Sequence, residues 1–229
     1  MYSYSHKIVS ERFPHPCCGA PAKYSRGISE DLIYTIASLM EDESVFHQDL
    51  FDPFSLSEIL EYITSSHVYY INKKLLEIEQ SILQLHPVKN EGSKFIALLH
   101  QQFLRYRSHL TEHIREEEDA LIPYIRILSK SESKPLIAEQ LTIMNYALAD
   151  FMDTHDDTED ALHTLIAMIK AYYPDYLSMT PYRILVSQIQ IFADDLKVHA
   201  LIEDKVLIPR AKNAEQLFKN KVWQLVSCN

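Results

Sequence analysis

A short pattern of residues occurs twice in this chain with identical internal spacing. In each copy a histidine is followed four residues later by a glutamate, and then by a Leu-Ile-Pro tripeptide: His113, Glu117 and Leu121 to Pro123, then His199, Glu203 and Leu207 to Pro209. On an α-helix, residues four apart lie on the same face, one turn from each other. Each copy therefore predicts a helix that directs an imidazole and a carboxylate towards one site, as a pair of metal-binding helices would.

The proline of each copy constrains the helix that carries it. Pro123 and Pro209 each follow the glutamate of their copy by six residues. A proline inside a helix lacks the N–H donor, and its ring disturbs the carbonyl four residues back. We therefore expect each helix to bend or end close to its predicted metal ligands.

Composition agrees with a helical protein and excludes some partners. Hydrophobic residues make up 47% of the 229 residues, which is enough to fill a core, and 3 glycines are too few for a fold rich in tight turns. The net charge of -10 argues against a nucleic-acid surface and against binding to anionic membranes. Small cations or basic protein surfaces are the compatible partners.

Several features predict a soluble cytoplasmic protein. No stretch approaches the roughly 20 apolar residues that span a bilayer, and the segment from Met1 to Pro16 lacks the apolar core of a signal peptide. The cysteines Cys17, Cys18 and Cys228 are too few and too unevenly placed for a disulfide framework, which is typical of a reducing compartment.

The chain divides by composition into a small module and a larger domain. Residues 1–52 hold the cysteine pair Cys17-Cys18 and a short amphipathic stretch from about Ser29 to Met40, which predicts a small helical N-terminal module. Residues 53–229 contain four long helical patterns, the first of which opens on Ser55 and Glu58 in the form of a capping box.

Proline and glycine residues separate the four predicted long helices. The expected ranges are 55–85, 92–129, 136–173 and 180 onwards, the last of which opens at Thr180-Pro181. Long helices with short connectors predict an all-α protein, an up-down-up-down four-helix bundle.

Each predicted long helix carries one histidine on its apolar face. His67 and His155 lie in the apolar stripes of the first and third helices, and His113 and His199 lie in those of the second and fourth. His67 precedes His113 by 46 residues and His155 precedes His199 by 44, so the spacing repeats between the halves. With Glu117 and Glu203, the chain offers six inward ligands.

Six such groups suit two metal ions better than one, because each ion can take two imidazoles and share two carboxylates. Buried carboxylates are costly without cations to compensate them. Imidazole and carboxylate ligands without thiolate fit iron, manganese or zinc. His109, four residues before His113, and Glu159, four after His155, are the alternative or supporting ligands.

These motifs, together with Cys17-Cys18-Gly19 upstream, resemble the hemerythrin-like di-iron proteins of the Repair of Iron Centres family. The resemblance covers nearly the whole chain and implies a hemerythrin-like bundle with two non-haem iron ions joined by an oxo or hydroxo bridge. It implies that the histidines are terminal ligands and the glutamates bridging ligands: His67, His113, His155 and His199, with Glu117 and Glu203.

The resemblance also implies a function in the repair of iron-sulfur clusters damaged by nitrosative or oxidative stress. Iron-sulfur proteins would be the partners, and iron donation without catalysis is favoured over an enzymatic reaction. Two alternatives stay open: a hemerythrin-like protein that binds or senses dioxygen or nitric oxide, and a di-iron reductase of nitric oxide or peroxide. Redox or transfer chemistry at Cys17 and Cys18 is a further hypothesis.

Overall fold

The computed structural model describes residues 27–86, 92–131, 160–172 and 179–227. These residues are helical apart from short connectors, and none of them belongs to a β-strand. The predicted all-α class is therefore confirmed, with several long helices, as a hemerythrin-like bundle requires. Among the described helices, none is both long enough and apolar enough to cross a lipid bilayer.

The described α-helices are numbered in chain order. They are α1 (Glu30–Glu41), α2 (Leu56–Tyr69), α3 (Leu75–Leu83), α4 (Gly92–Glu116), α5 (Ile122–Ser131), α6 (Asp160–Tyr172), α7 (Thr180–Ile202) and α8 (Ile208–Ser227). Three π-helical turns connect consecutive α-helices without a break: π1 (Tyr70–Lys74), π2 (Glu117–Leu121) and π3 (Glu203–Leu207). Short 3-10 helices at Glu43–Val45 and Gln48–Phe51 lie between α1 and α2.

Most predicted helix boundaries agree with this description. The first predicted long helix corresponds to α2, π1 and α3, the second to α4, π2 and α5, and the fourth to α7, π3 and α8. Of the third, the structure describes α6, which ends one residue before the expected stop at residue 173. Pro181 is the second residue of α7 and lies within its first turn. Backbone N–H groups in the first turn have no intrahelical acceptor, so the missing N–H of proline breaks no hydrogen bond there.

The predicted capping box forms only in part. The Ser55 hydroxyl accepts a hydrogen bond from the Glu58 backbone N–H at 3.1 Å, as expected of a helix cap. The Glu58 carboxylate, however, accepts from the backbone N–H of Ser29 at 2.9 Å. Ser29 is itself the N-cap of α1, because its hydroxyl accepts from the N–H of Leu32. Glu58 thus links the starts of α1 and α2.

Neither Pro123 nor Pro209 ends its helix. Each is the second residue of an α-helix that continues to Ser131 or Ser227, directly after a π-helical turn. In these turns, the N–H of Ile122 bonds to the carbonyl of Glu117, five residues back. The expected disturbance therefore takes the form of a π turn, which shifts the hydrogen-bond register by one residue where proline supplies no donor.

The described chain falls into two compact units, each with its own core. The first contains residues 27–66, 116–131 and 198–227. Its buried residues come from α1, the segment before α2, and helices α2, α5 and α8, and include Leu32, Ile36, Leu39, Phe51, Ile59, Ile63, Ile125, Leu128 and Ala211. Arg210 fixes the segment before α2, since its guanidinium donates to the Phe54 carbonyl at 2.7 Å and contacts Asp52 at 3.1 Å. The described part of the predicted N-terminal module thus shares a core with the helices that follow it.

The second unit contains residues 67–86, 92–115, 160–172 and 179–197. Its core is formed by buried residues of π1, α3, α4, α6 and α7, including Tyr70, Ile78, Phe95, Leu99, Phe103, Leu162, Ile166, Leu185, Ile189 and Phe192. The Tyr70 and Phe192 rings meet edge to face with centroids 5.3 Å apart. The Tyr70 hydroxyl also donates to the Asp195 carbonyl at 3.4 Å, so the one side chain contributes both apolar packing and a polar contact.

Candidate metal centre

Three of the predicted ligands lie together in the structure. His67 on α2, Glu117 at the start of π2 and His199 on α7 each offer a ligand atom, and these atoms all lie within 4.8 Å of one another. The exposed fractions of the three side chains are 1%, 1% and 6%, respectively. The structure therefore brings two imidazoles and one carboxylate into a single buried group.

Glu203 adds a second carboxylate beside this group. Its Oε2 lies 3.7 Å from the Nε2 of His199, one helical turn earlier, and Glu203 is 2% exposed. The i, i+4 spacing read from the sequence thus brings these two side chains close to each other.

Glu117 differs in burial from the glutamates next to it in the sequence. In the run from Glu116 to Glu118, the first glutamate is exposed, the third is half-buried, and Glu117 alone is buried. Both Glu117 and Glu203 are the first residues of their π-helical turns. Because π turns alter side-chain direction within a continuous helix and occur often at functional sites, the equivalent positions give the two carboxylates equivalent local geometry.

Two of the predicted ligands are placed differently or not described. His113 on α4 is half-buried and does not belong to the close group of His67, Glu117 and His199. His155 lies outside the described residues, as do Cys17 and Cys18. The arrangement that the structure provides is therefore a part of the predicted set of six.

Glu112 and Arg115, on either side of His113 in the sequence, form an exposed ion pair. Neither residue belongs to the buried group of His67, Glu117 and His199. Glu112 accepts hydrogen bonds from the guanidinium of Arg115, with Nε 3.3 Å from Oε2. This hydrogen bond and the positive charge hold the pKa of Glu112 below its ordinary value. Glu112 is exposed to solvent.

The structure describes one of the two alternative ligands, His109, and not the other, Glu159. His109 is exposed and is not part of the close group; its imidazole lines a separate cavity, between α4 and α6. Glu159 lies outside the described residues.

Tyr62 is a neighbour of the group that the sequence reasoning missed. Its ring is fully buried, and its centroid is 6.3 Å from that of the His199 imidazole, at an angle of 45°. The apolar stripe predicted around His67 did not include Tyr62. A second buried row on α2, Ile59, Tyr62 and Ser66, follows the same helical spacing and indicates a wider buried face.

The residues present suit a transition-metal ion. Metal–nitrogen and metal–oxygen bonds of roughly 2.0–2.2 Å place the ligand atoms of one ion up to about 4.4 Å apart. The ligand atoms of His67, Glu117 and His199 lie within 4.8 Å of one another, which is only slightly more than this distance. Small shifts of these side chains would therefore bring all three into bonding distance of one ion. Imidazole and carboxylate ligands without thiolate suit iron, manganese or zinc, and a cation would offset the cost of burying Glu117 and Glu203.

Comparisons with known proteins show the family of the chain. The hemerythrin HHE cation binding domain matches residues 47–211. Over 171 residues, 70% of this chain and 68% of the relative, the sequence is 26% identical to the iron-sulfur cluster repair protein YtfE of Cronobacter sakazakii (strain ATCC BAA-894). It is 22% identical over 209 residues, 87% of each chain, to the protein of the same name from Citrobacter koseri (strain ATCC BAA-895 / CDC 4225-83 / SGSC4696). No solved structure is significantly similar to it. Because the domain match covers most of the chain, this protein belongs to the hemerythrin HHE cation-binding family.

Proposed function

We propose that this protein holds two non-haem iron ions and donates iron for the repair of iron-sulfur clusters damaged by nitrosative or oxidative stress. The observation that carries the proposal is the buried group of His67, Glu117 and His199, with Glu203 beside it. This group occurs in a chain whose similar proteins are named for iron-sulfur cluster repair.

The proposed centre would be held by four histidines and two glutamates of this chain: His67, His113, His155 and His199, with Glu117 and Glu203. The histidines would serve as terminal ligands and the glutamates as bridging ligands, with an oxo or hydroxo group beside them. When bound, the iron pair supplies redox chemistry and a store of transferable metal. A shift of His113 towards the buried group is part of this proposal, since in the structure it stands half-buried on α4.

The chemistry of the ligands favours transfer of iron over permanent storage. Carboxylates can change between bridging and terminal binding, and oxygen and nitrogen ligands hold ferrous iron less firmly than thiolates hold softer metals. Once an external one-electron donor has reduced the iron to the ferrous state, the hold of Glu117 and Glu203 on one ion would weaken, and an acceptor could take that ion. The proposed partners are iron-sulfur proteins of the cytoplasm whose clusters have lost iron.

The test is reactivation of a cytoplasmic iron-sulfur dehydratase that nitric oxide has inactivated. The iron-loaded, reduced protein is mixed with the damaged enzyme and a mild ferrous chelator, and recovered activity is measured together with the iron left on the chain. We expect activity to return in proportion to the iron lost. Glu203→Gln, which keeps the size of the side chain but removes the charge, should restore less activity than the wild type.

Other results of this experiment would select a different function. Reduced protein that keeps both irons while the acceptor stays inactive would contradict iron donation. If that protein also binds dioxygen or nitric oxide reversibly, it is a carrier or sensor. Repeated consumption of nitric oxide or peroxide with an electron donor would instead identify a reductase.

A further inference from the structure

A cavity separate from the proposed metal ligands lies between helices α4 and α6. Its volume is about 300 Å³, at the lower end of the range of about 300–1,000 Å³ that is typical of small-molecule sites. It is lined by four residues of each helix: Gln102, Arg105, Tyr106 and His109 from α4, and Ala161, Thr164, Leu165 and Met168 from α6. Both helices belong to the second unit.

One side of the cavity is polar and carries positive charge. Arg105 and His109 are four residues apart on α4, and Gln102 lies three residues before Arg105, so all three project to the same face. Thr164 adds a hydroxyl group from α6, and the described residues that line the cavity include no carboxylate. The polar side thus presents a guanidinium, an imidazole, an amide and a hydroxyl.

The guanidinium of Arg105 and the imidazole of His109 are available to a ligand. In the part of the chain that the structure describes, neither Arg105 nor His109 forms an ion pair or a side-chain hydrogen bond. Arg107, two residues further along α4, differs in this respect because its guanidinium contacts the Glu79 carboxylate at 2.5 Å. A guanidinium presents donors in a planar fork that matches a carboxylate, and the exposed Arg105 is one of the residues that line the cavity.

The other side of the cavity is apolar. Leu165 and the Tyr106 ring are buried, and Ala161 and Met168 complete this side. The protein has a net charge of -10, but charges on distant parts of the surface are screened beyond a Debye length of about 8 Å at physiological salt. The guanidinium of Arg105 therefore decides which charge the cavity accepts.

We propose that this cavity binds a small organic anion, in which a carboxylate lies on a short apolar body. The carboxylate contacts Arg105 and His109, and the apolar body packs against Leu165 and Met168. None of these residues belongs to the proposed metal ligands, so this site is independent of the iron chemistry. The fit rests on one charged side, one apolar side and a volume suited to a compact ligand.

Calorimetric titration of the full chain with benzoate tests this proposal. Benzamide, which has the same shape without the charge, and inorganic phosphate, which has charge without the apolar body, are titrated in parallel. We expect saturable binding of one benzoate per chain, with benzamide and phosphate at least about tenfold weaker, because a charge-assisted hydrogen bond contributes about that factor. The optical spectrum of the metal centre should not change during the titration.

Three variants locate the binding. Arg105→Gln should weaken benzoate binding by about tenfold or more, and Ala161→Phe, which fills the cavity without changing its charge, should abolish it. Arg126→Gln, at an exposed arginine of α5 in the other unit, is the matched control and should bind as the wild type does.

Three results would overturn the proposal: no saturable binding, equal binding in Arg105→Gln and wild type, or tighter binding of phosphate than of benzoate. A spectral change at the metal centre on adding benzoate would also overturn it, since the carboxylate would then bind elsewhere.

Discussion

Each ionisable side chain in the buried group is unfavourable to bury by itself. A carboxylate that leaves water loses several kcal/mol of solvation unless it is paired or binds a cation. Glu117 and Glu203 are almost fully buried. His67 and His199 are buried as well, and the imidazole nitrogens of both could bind a metal ion. A bound cation would offset much of the cost of burying these four residues close together.

His67 can be tested by itself because its replacement leaves the size of the side chain almost unchanged. His67→Gln should lower iron content per chain by about half or more, since glutamine lacks the imidazole nitrogen that binds the metal. Iron measured by emission spectroscopy against protein concentration gives the result.

His163→Gln is the matched control, because His163 is exposed on α6. An equal loss of iron in both variants would mean that His67 has no special part in metal binding.

Tyr62 provides a test of packing beside the metal ligands. Tyr62→Ala should destabilise the protein by about 3–5 kcal/mol, because it removes a fully buried ring that contacts His199. Tyr62→Phe keeps the ring and should cost no more than about 1.5 kcal/mol. Urea unfolding curves measure both values.

The exposed Tyr34 serves as the comparison, and Tyr34→Ala should change stability by less than about 0.5 kcal/mol. A cost below about 1 kcal/mol for Tyr62→Ala would contradict the packing described here.

The repeat is also visible at the level of helices. The two copies place the glutamate at the start of a π turn and the proline at the second position of the following α-helix. In π3, the N–H of Ile208 bonds to the carbonyl of Glu203, as Ile122 does to Glu117 in π2. The repeated tripeptide is therefore accompanied by a repeated backbone geometry at the two glutamates, although π1 forms without a proline.

Pro209→Ala should favour an ordinary α-helical register at π3. Alanine supplies the N–H that proline lacks and has the highest helix propensity, so an ordinary α-helical hydrogen bond becomes possible next to the turn Glu203–Leu207. We expect iron affinity to fall by about tenfold, since ligand geometry of this kind governs affinity, while overall stability is kept or raised. Competition with a ferrous chelator measures the affinity.

Pro181→Ala is the matched control for Pro209→Ala. Pro181 lies in the first turn of α7, where its missing N–H costs nothing. Iron affinity should therefore be unchanged. If Pro209→Ala also retains wild-type affinity, the π turn does not direct Glu203 in the way described.

Metal binding should contribute to the stability of the whole molecule. A ligand at about 1,000 times its dissociation constant stabilises the native state by about 4 kcal/mol. For a chain of this size each kcal/mol corresponds to about 2–4 °C in Tm, so removal of the metal should lower Tm by about 8–16 °C. Differential scanning calorimetry of iron-loaded and chelated protein measures the shift.

The same comparison in Glu117→Ala with Glu203→Ala should give nearly equal Tm values, because the variant has lost the ligands that couple iron to folding. An equal shift in the variant would show that iron stabilises the chain through other residues.

The starts of several helices and the burial of most proposed ligands could be predicted from the sequence, because helix caps and apolar spacing are local signals. Thr180-Pro181 and Gly92 begin helices as expected, and His67, Glu117, His199 and Glu203 are buried as their spacing indicated. The π turns and the Glu58 to Ser29 hydrogen bond could not be predicted in this way. The register of a helix around a proline depends on its neighbours, and Glu58 bonds to a residue 29 positions away.

The central claim is that the repeated His-x-x-x-Glu motif holds two iron ions. Metal content per chain and the optical spectrum, measured on protein purified without added metal, test this most directly. The wild type should contain about two irons per chain with an oxo-bridge charge-transfer band, and Glu117→Ala with Glu203→Ala should lose both. A wild type without metal, or with one zinc that survives the double substitution, would contradict the claim.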